Sequence, residues 1–156
     1  MNQYLQHFLY PSTLFASKDP YVVQTILGSC VAICLWDPVA KIGGINHYML
    51  PTWNGNDLAS PKYGNIAIDR LVERMIQLGS RIENLEAKIF GGGDLISTDR
   101  SVMLIGERNI RVARIILEER NIPIIASSTG GRKGRKILFF TDNGEVRHKF
   151  LEKQYG

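Results

Sequence analysis

The stretch Val31-Ala32-Ile33-Cys34-Leu35-Trp36 is apolar at every position. Successive side chains of a strand point to opposite faces, so whichever face it buries, the other still needs cover. Such a strand belongs inside a layered structure, with protein above and below it. Gly28-Ser29 separates it from a β-rich stretch at Tyr21–Leu27, and Asp37-Pro38 ends it. Gly43-Gly44 then leads into a further short strand over residues 45–50, closed by Pro51, and residues 52–62 read as a polar loop.

The pattern then changes period. Ile68, Leu71, Val72, Met75 and Ile76 recur at three- and four-residue steps before Gly79, which predicts a helix with those side chains inward. A strand over 85–90 runs into Gly91-Gly92-Gly93. A second helix is predicted over 105–120, with Ile110, Ala113, Ile116 and Leu117 inside and Asn121 at its end. A strand over 122–126, a Gly- and Arg-rich loop over 127–135, and a hairpin pairing 136–141 with 146–151 across Asp142-Asn143-Gly144 complete the chain. Two helices and six or seven strands, without repeats or linkers, predict an α+β fold: a single-domain layered α/β sandwich with a mixed β-sheet over residues 1–156, its first ten residues a flexible lead.

Composition narrows the function classes. At 44% hydrophobic and 22% charged residues, the 156-residue chain reads as a soluble globular protein. No apolar run approaches the ~20 residues that span a bilayer, and residues 1–10 lack the features of a signal peptide, so the expected location is the cytoplasm. Cys30 and Cys34, four apart in one run, would stand ~13 Å apart along a strand, too far for a disulfide. No further Cys or His pairs flank them as in a zinc site. Residues 1–126 carry twelve Lys/Arg and twelve Asp/Glu, so the net charge of +4 resides in the last thirty residues, with Arg132, Lys133, Arg135, Lys136, Arg147, Lys149 and Lys153. That patch suits an acidic protein surface. No aromatic side chains are interleaved in its basic loop, residues 132–136, as they are in single-stranded nucleic-acid binders.

Cys30 sits where the Gly28-Ser29 turn hands over to the buried strand. Backbone amides around such a turn can stabilise an oxyanion, which makes Gly28 and Ser29 candidates for that role. A thiol attacks only as thiolate, so Cys30 needs a base or a positive field; without one it is simply a small buried residue, as Cys34 is expected to be. Of the three histidines, His7 lies in the N-terminal lead and His148 in a charged hairpin. Only His47 is set among apolar residues, which makes it the natural base if its strand neighbours that of Cys30. A third group orienting the imidazole could be Thr25, Gln24, Asn46 or Ser29. Gly91-Gly92-Gly93 lacks the Lys-Ser/Thr ending of a phosphate loop, and Thr129-Gly130-Gly131-Arg132 does not open a helix; both read as turns near a cleft.

The string Thr25-Ile26-Leu27-Gly28-Ser29-Cys30-Val31-Ala32, with Asp37-Pro38, Gly43-Gly44, His47 and Leu50-Pro51, resembles the signature of the CheD family of chemoreceptor glutamine deamidases. The similarity continues through Lys62-Tyr63-Gly64, Glu86-Ala87-Lys88, Ile105-Gly106, Arg108-Asn109 and Thr129-Gly130-Gly131, and spans roughly residues 10 to 150. The resemblance implies a Cys–His–Thr constellation, with Cys30 nucleophile and His47 base. Thr25, five residues before the cysteine, takes the third place, although Gln24 stands six before it, where some relatives have the threonine. It also implies a fold similar to the catalytic domains of glutamine-deamidating toxins, and an amidohydrolase that converts glutamine side chains of methyl-accepting chemotaxis receptors to glutamate without metal or organic cofactor. Some members bind the phosphatase CheC, which makes a non-catalytic role at a CheC-like partner the alternative. A thiol peptidase using the same dyad is a further rival, and a nucleic-acid binder a distant one.

Overall fold

The structure, a computed structural model, describes residues 3–95 and 104–152. Among the described residues the strands are β1 (Leu5–Phe8), β2 (Thr13–Ser17), β3 (Tyr21–Leu27), β4 (Val31–Asp37), β5 (Ile42–His47), β6 (Glu86–Gly91), β7 (Ile124–Thr129), β8 (Arg135–Phe140) and β9 (Val146–Phe150). Two α-helices accompany them, α1 (Gly64–Gln77) and α2 (Ile105–Glu119). The strands form two mixed sheets rather than one: β1-β3-β8-β9, and β2-β5-β4-β6-β7. The β1–β3 and β6–β7 pairs are parallel and the rest antiparallel.

The doubly apolar strand explains the layering. Val31, Ile33 and Leu35 of β4 face a core shared with the inner faces of the helices, including Ala67, Ile68, Leu71, Met75, Ala113 and Leu117. Ala32 and Cys34 face a second core between the sheets, with Val23, Leu27, Ile45, Phe90, Ile137 and Phe139. The order is therefore four-stranded sheet, five-stranded sheet, helices. Ile110 and Ile116 of α2 pack at the margin of the helical core. Ile76 does not: it is 48% exposed, one residue past Met75 and turned off the apolar stripe.

Three expectations need correction. Residues 3–10 are not a flexible lead, because β1 pairs in parallel with β3 and Leu9 is fully buried. Residues 1–2, like Lys153 of the basic segment, lie outside the described residues. The N-terminal strands β1 and β2 raise the strand number above the predicted six or seven. The strand predicted over 45–50 instead runs from Ile42 to His47 and includes Gly43 and Gly44. A Cβ on Gly43 would stand 2.7 Å from the Thr141 backbone, and one on Gly44 would stand 2.8 Å from Met75 Sδ. Two bare positions let one sheet and one helix close onto opposite faces of the same strand.

Candidate active site

The Gly28-Ser29-Cys30 turn connects β3 in one sheet to β4 in the other, at one end of the sandwich. Its carbonyls are tied down one by one. Gly28 O accepts from Gly93 N at 3.0 Å, and Cys30 O from Gly92 N at 2.8 Å. Ser29 O accepts from Asn109 Nδ2 of α2 at 3.0 Å. The glycine run makes this approach possible: Gly91 has φ +105°, and a Cβ there would lie 2.2 Å from Cys30 O. Among the described residues no backbone carbonyl accepts from the amides of Ser29 and Cys30.

His47 ends β5 and is 2% exposed. Val31 and Tyr48 pair across from each other, exchanging hydrogen bonds of 3.1 and 2.9 Å. That register sets Ala32 opposite His47 and Cys30 opposite Met49. Cys30 and His47 are thus diagonal neighbours, a relation with a typical separation of ~7–8 Å between Cα atoms. Both side chains turn into the space between the sheets: Cys30 packs against the inter-sheet core, and His47 reaches Thr25 on the opposing sheet. Cys30 is half-buried and Cys34 buried, and both are free thiols.

Thr25 is fully buried on the inner face of β3, with Oγ1 2.7 Å from His47 Nδ1 and 2.8 Å from Leu9 O. A hydroxyl has one proton, and a carbonyl can only accept. The Thr25 proton therefore goes to Leu9 O, and Nδ1–H of His47 donates to Oγ1. This assigns the tautomer and leaves the lone pair on Nε2, which is buried and has no hydrogen-bond partner.

The remaining candidates fall elsewhere. Gln24 alternates outward and lines a 320 Å³ groove with Gln6, His7, Phe8, Val22 and Leu138 on the outer face of the four-stranded sheet. Asn46 Oδ1 accepts from Ile33 N at 2.9 Å, bridging β4 and β5. His7 stacks on Phe15, and His148 Nε2 lies 3.2 Å from Ser128 Oγ. Asn109 had no assigned role in the sequence reading; its place in Arg108-Asn109 was the signal available. A cleft of about 470 Å³ opens beside the turn, lined by Ser29, Gly93, Asp94, Leu95, Leu104, Ile105 and Gly106. Among the described residues no three His, Cys, Asp or Glu side chains gather as a metal site.

Burial dominates the electrostatics. It lowers the His47 pKa to about 4 and raises that of Cys30, against a smaller lowering by the cysteine's own amide. A positive field would pull the thiol below its ordinary value; burial does the reverse. Near neutral pH the pair therefore rests as thiol and neutral imidazole.

A family model described as CheD chemotactic sensory transduction matches residues 49–150. The chain is 49% identical to a probable chemoreceptor glutamine deamidase CheD of Trichlorobacter lovleyi, over 90% of this chain and 88% of that protein. It is 46% identical to the Sulfurimonas denitrificans protein of the same description, over 97% of each. These alignments are long enough to span Cys30 and His47, which precede the segment matched by the family model. The crystal structure of Bacillus licheniformis hypothetical protein YfiH superposes with a TM-score of 0.49 at 19% identity, covering 74% of this chain and 49% of that one.

Proposed function

Because this chain belongs to the CheD family, we propose that it deamidates glutamine side chains of chemoreceptors with Cys30 as nucleophile, His47 as base and Thr25 as the group that orients the base. The observation that carries the residue roles is the Leu9–Thr25–His47 chain, which leaves the Nε2 lone pair open on the face that Cys30 shares.

The reaction follows from that protonation state. Nε2 takes the Cys30 proton as sulfur bonds to the amide carbon, and the carbonyl π electrons move onto oxygen beside the Ser29 and Cys30 amides. As the tetrahedral intermediate collapses, the C–N bond breaks and imidazolium Nε2–H protonates the departing ammonia. Water, deprotonated by Nε2, then adds to the thioester; the C–S bond breaks and the proton returns to sulfur. Glutamate and the thiol remain. No step requires an oxidant or a metal.

Mass spectrometry of a receptor fragment tests the proposal. Wild type is expected to convert amide to acid without cutting the chain, and Cys30→Ala and His47→Ala to do neither. Chain cleavage would favour the peptidase reading, and full activity in Cys30→Ala would end the mechanism. Binding of a CheC-like phosphatase belongs to the same proposal and is checked by co-purification with Cys30→Ala. Likeness to the deamidating-toxin catalytic domains rests on the shared cysteine–histidine chemistry; a superposition that left Cys30 and His47 unmatched would remove it. Among the described residues no helix is long and apolar enough to cross a membrane. The proposed encounter is with the receptors' cytoplasmic helices, which the basic C-terminal region would steer.

A further inference from the structure

Asn109 is the fully buried residue of α2 that joins the two strands of the candidate site. Its two Nδ2 protons match two carbonyls, Ser29 O and Met49 O, each at 3.0 Å. One lies just before the nucleophile, the other two residues after the base. Its own backbone carbonyl accepts the Tyr48 hydroxyl at 2.6 Å. Oδ1 is buried and has no partner. Leaving a buried acceptor unmet is costly, and a purely space-filling side chain would avoid it. What an amide supplies here, and an apolar isostere would not, is a pair of donors in one plane.

The consequence lies on the other side of the Ser29–Cys30 peptide. In a trans peptide the C=O and N–H point in opposite directions. With Ser29 O held toward α2, the Cys30 N–H must point away from the helix. Val31 faces the core shared with the helices, whereas Cys30 turns its side chain to the inter-sheet core, so an amide pointing away from the helix lies on the sulfur's side. The Gly93 N–H to Gly28 O bond fixes the preceding peptide in the same manner and sets the Ser29 N–H. We infer that Asn109 is a positioning residue for the deamidation: by holding the Ser29 carbonyl it aims the Cys30 amide at the developing oxyanion. This rests on the cysteine mechanism above, and it assigns α2 a part in the chemistry that the Cys–His–Thr set does not contain.

The test separates oxyanion stabilisation from thiol activation. Alkylation of Cys30 by iodoacetamide needs sulfur and imidazole but forms no oxyanion; deamidation of a receptor fragment needs all three. Asn109→Leu, of similar volume, and Asn109→Ser, which retains one donor, are compared with wild type. Asn109→Leu is expected to lower kcat about a hundredfold, with KM and the alkylation rate within about threefold; Asn109→Ser should fall between. Equal losses in deamidation and alkylation would mean that Asn109 merely supports the fold, and unchanged kcat would overturn the inference outright. A measurement on wild type covers the case in which the variants do not fold. Formation of a hemithioacetal with a glutamine-like peptide aldehyde should shift the Cys30 amide proton downfield; an unmoved resonance refutes the aim of that amide. Failure of the cysteine mechanism on which this rests would show differently, as full activity in Cys30→Ala.

Discussion

The Thr25 hydroxyl links the His47 ring to the Leu9 carbonyl across the sandwich. Thr25→Val keeps the shape but removes both hydrogen bonds, so Nδ1 loses its acceptor and Leu9 O its donor. The expected result is a fall in kcat of about ten- to a hundredfold, with Thr25→Ser retaining most of the activity; steady-state rates on a receptor fragment check it. Gln24→Ala should leave kcat unchanged, because that side chain faces the outer groove. The choice between these neighbours was not legible from alternation, since both faces of β3 carry apolar residues: Val23 and Leu27 beside Thr25, Val22 and Ile26 beside Gln24. Only the tertiary bond across the sandwich distinguishes them. The lowered pKa of His47 adds a pH dependence. Between pH 6.5 and about 4 the unfolded chain binds a proton at this ring and the folded chain does not. Stability contributed by the neutral ring is therefore full above 6.5 and declines toward pH 4, by about 3 kcal/mol at most. Denaturant titrations at pH 7.5 and 4.5 should show this slope, and His47→Gln should reduce it. The acid limb of kcat/KM should likewise fall below the ordinary histidine range.

At the scale of elements, sequence and structure agree best where a segment carries its own periodicity. Both helices appear close to their predicted bounds, and the β8–β9 hairpin turns at Gly144, with φ +76°. Strands β1 and β2 were not legible because nothing local marks them. They have four and five residues and lie at sheet edges, and the turn between them includes Ser12 at φ +67° rather than a glycine. Their cause is pairing with strands further along the chain, such as His7 with Val23 and Thr13 with His47. The glycine run was legible as a turn but not as the clamp on the Cys30 carbonyl. Gly92, at φ +69°, sits where a Cβ would stand 2.3 Å from Ile110 Cγ1 and 2.8 Å from Gly106 O. Gly92→Ala is expected to destabilise the fold by about 1–3 kcal/mol, visible by calorimetry as a Tm drop of roughly 3–10 °C. Because Gly92 N also holds Cys30 O, kcat should decline with it, whereas a glycine whose Cβ would meet nothing, such as Gly130, offers a control of backbone strain alone.

For the molecule as a whole, the uneven charge of the sequence acquires a location. Lys136, Arg147 and Lys149 share the outer face of the four-stranded sheet by register, and the Arg147 guanidinium lies over the Phe140 ring. If this face steers an acidic receptor helix, kcat/KM should fall as salt rises from about 50 to 300 mM. Arg147→Glu with Lys149→Glu should cost about tenfold in kcat/KM, carried by KM, with Cys30 alkylation unchanged. The layered order matters differently. Thr25 is rooted in one sheet and His47 in the other, so their bond works as a rivet through two plates. Slippage of the plates by an ångström or two would misalign the imidazole while leaving each ladder whole. Warming or mild urea should therefore silence turnover before circular dichroism registers any melting, so that activity reports the alignment of the two sheets.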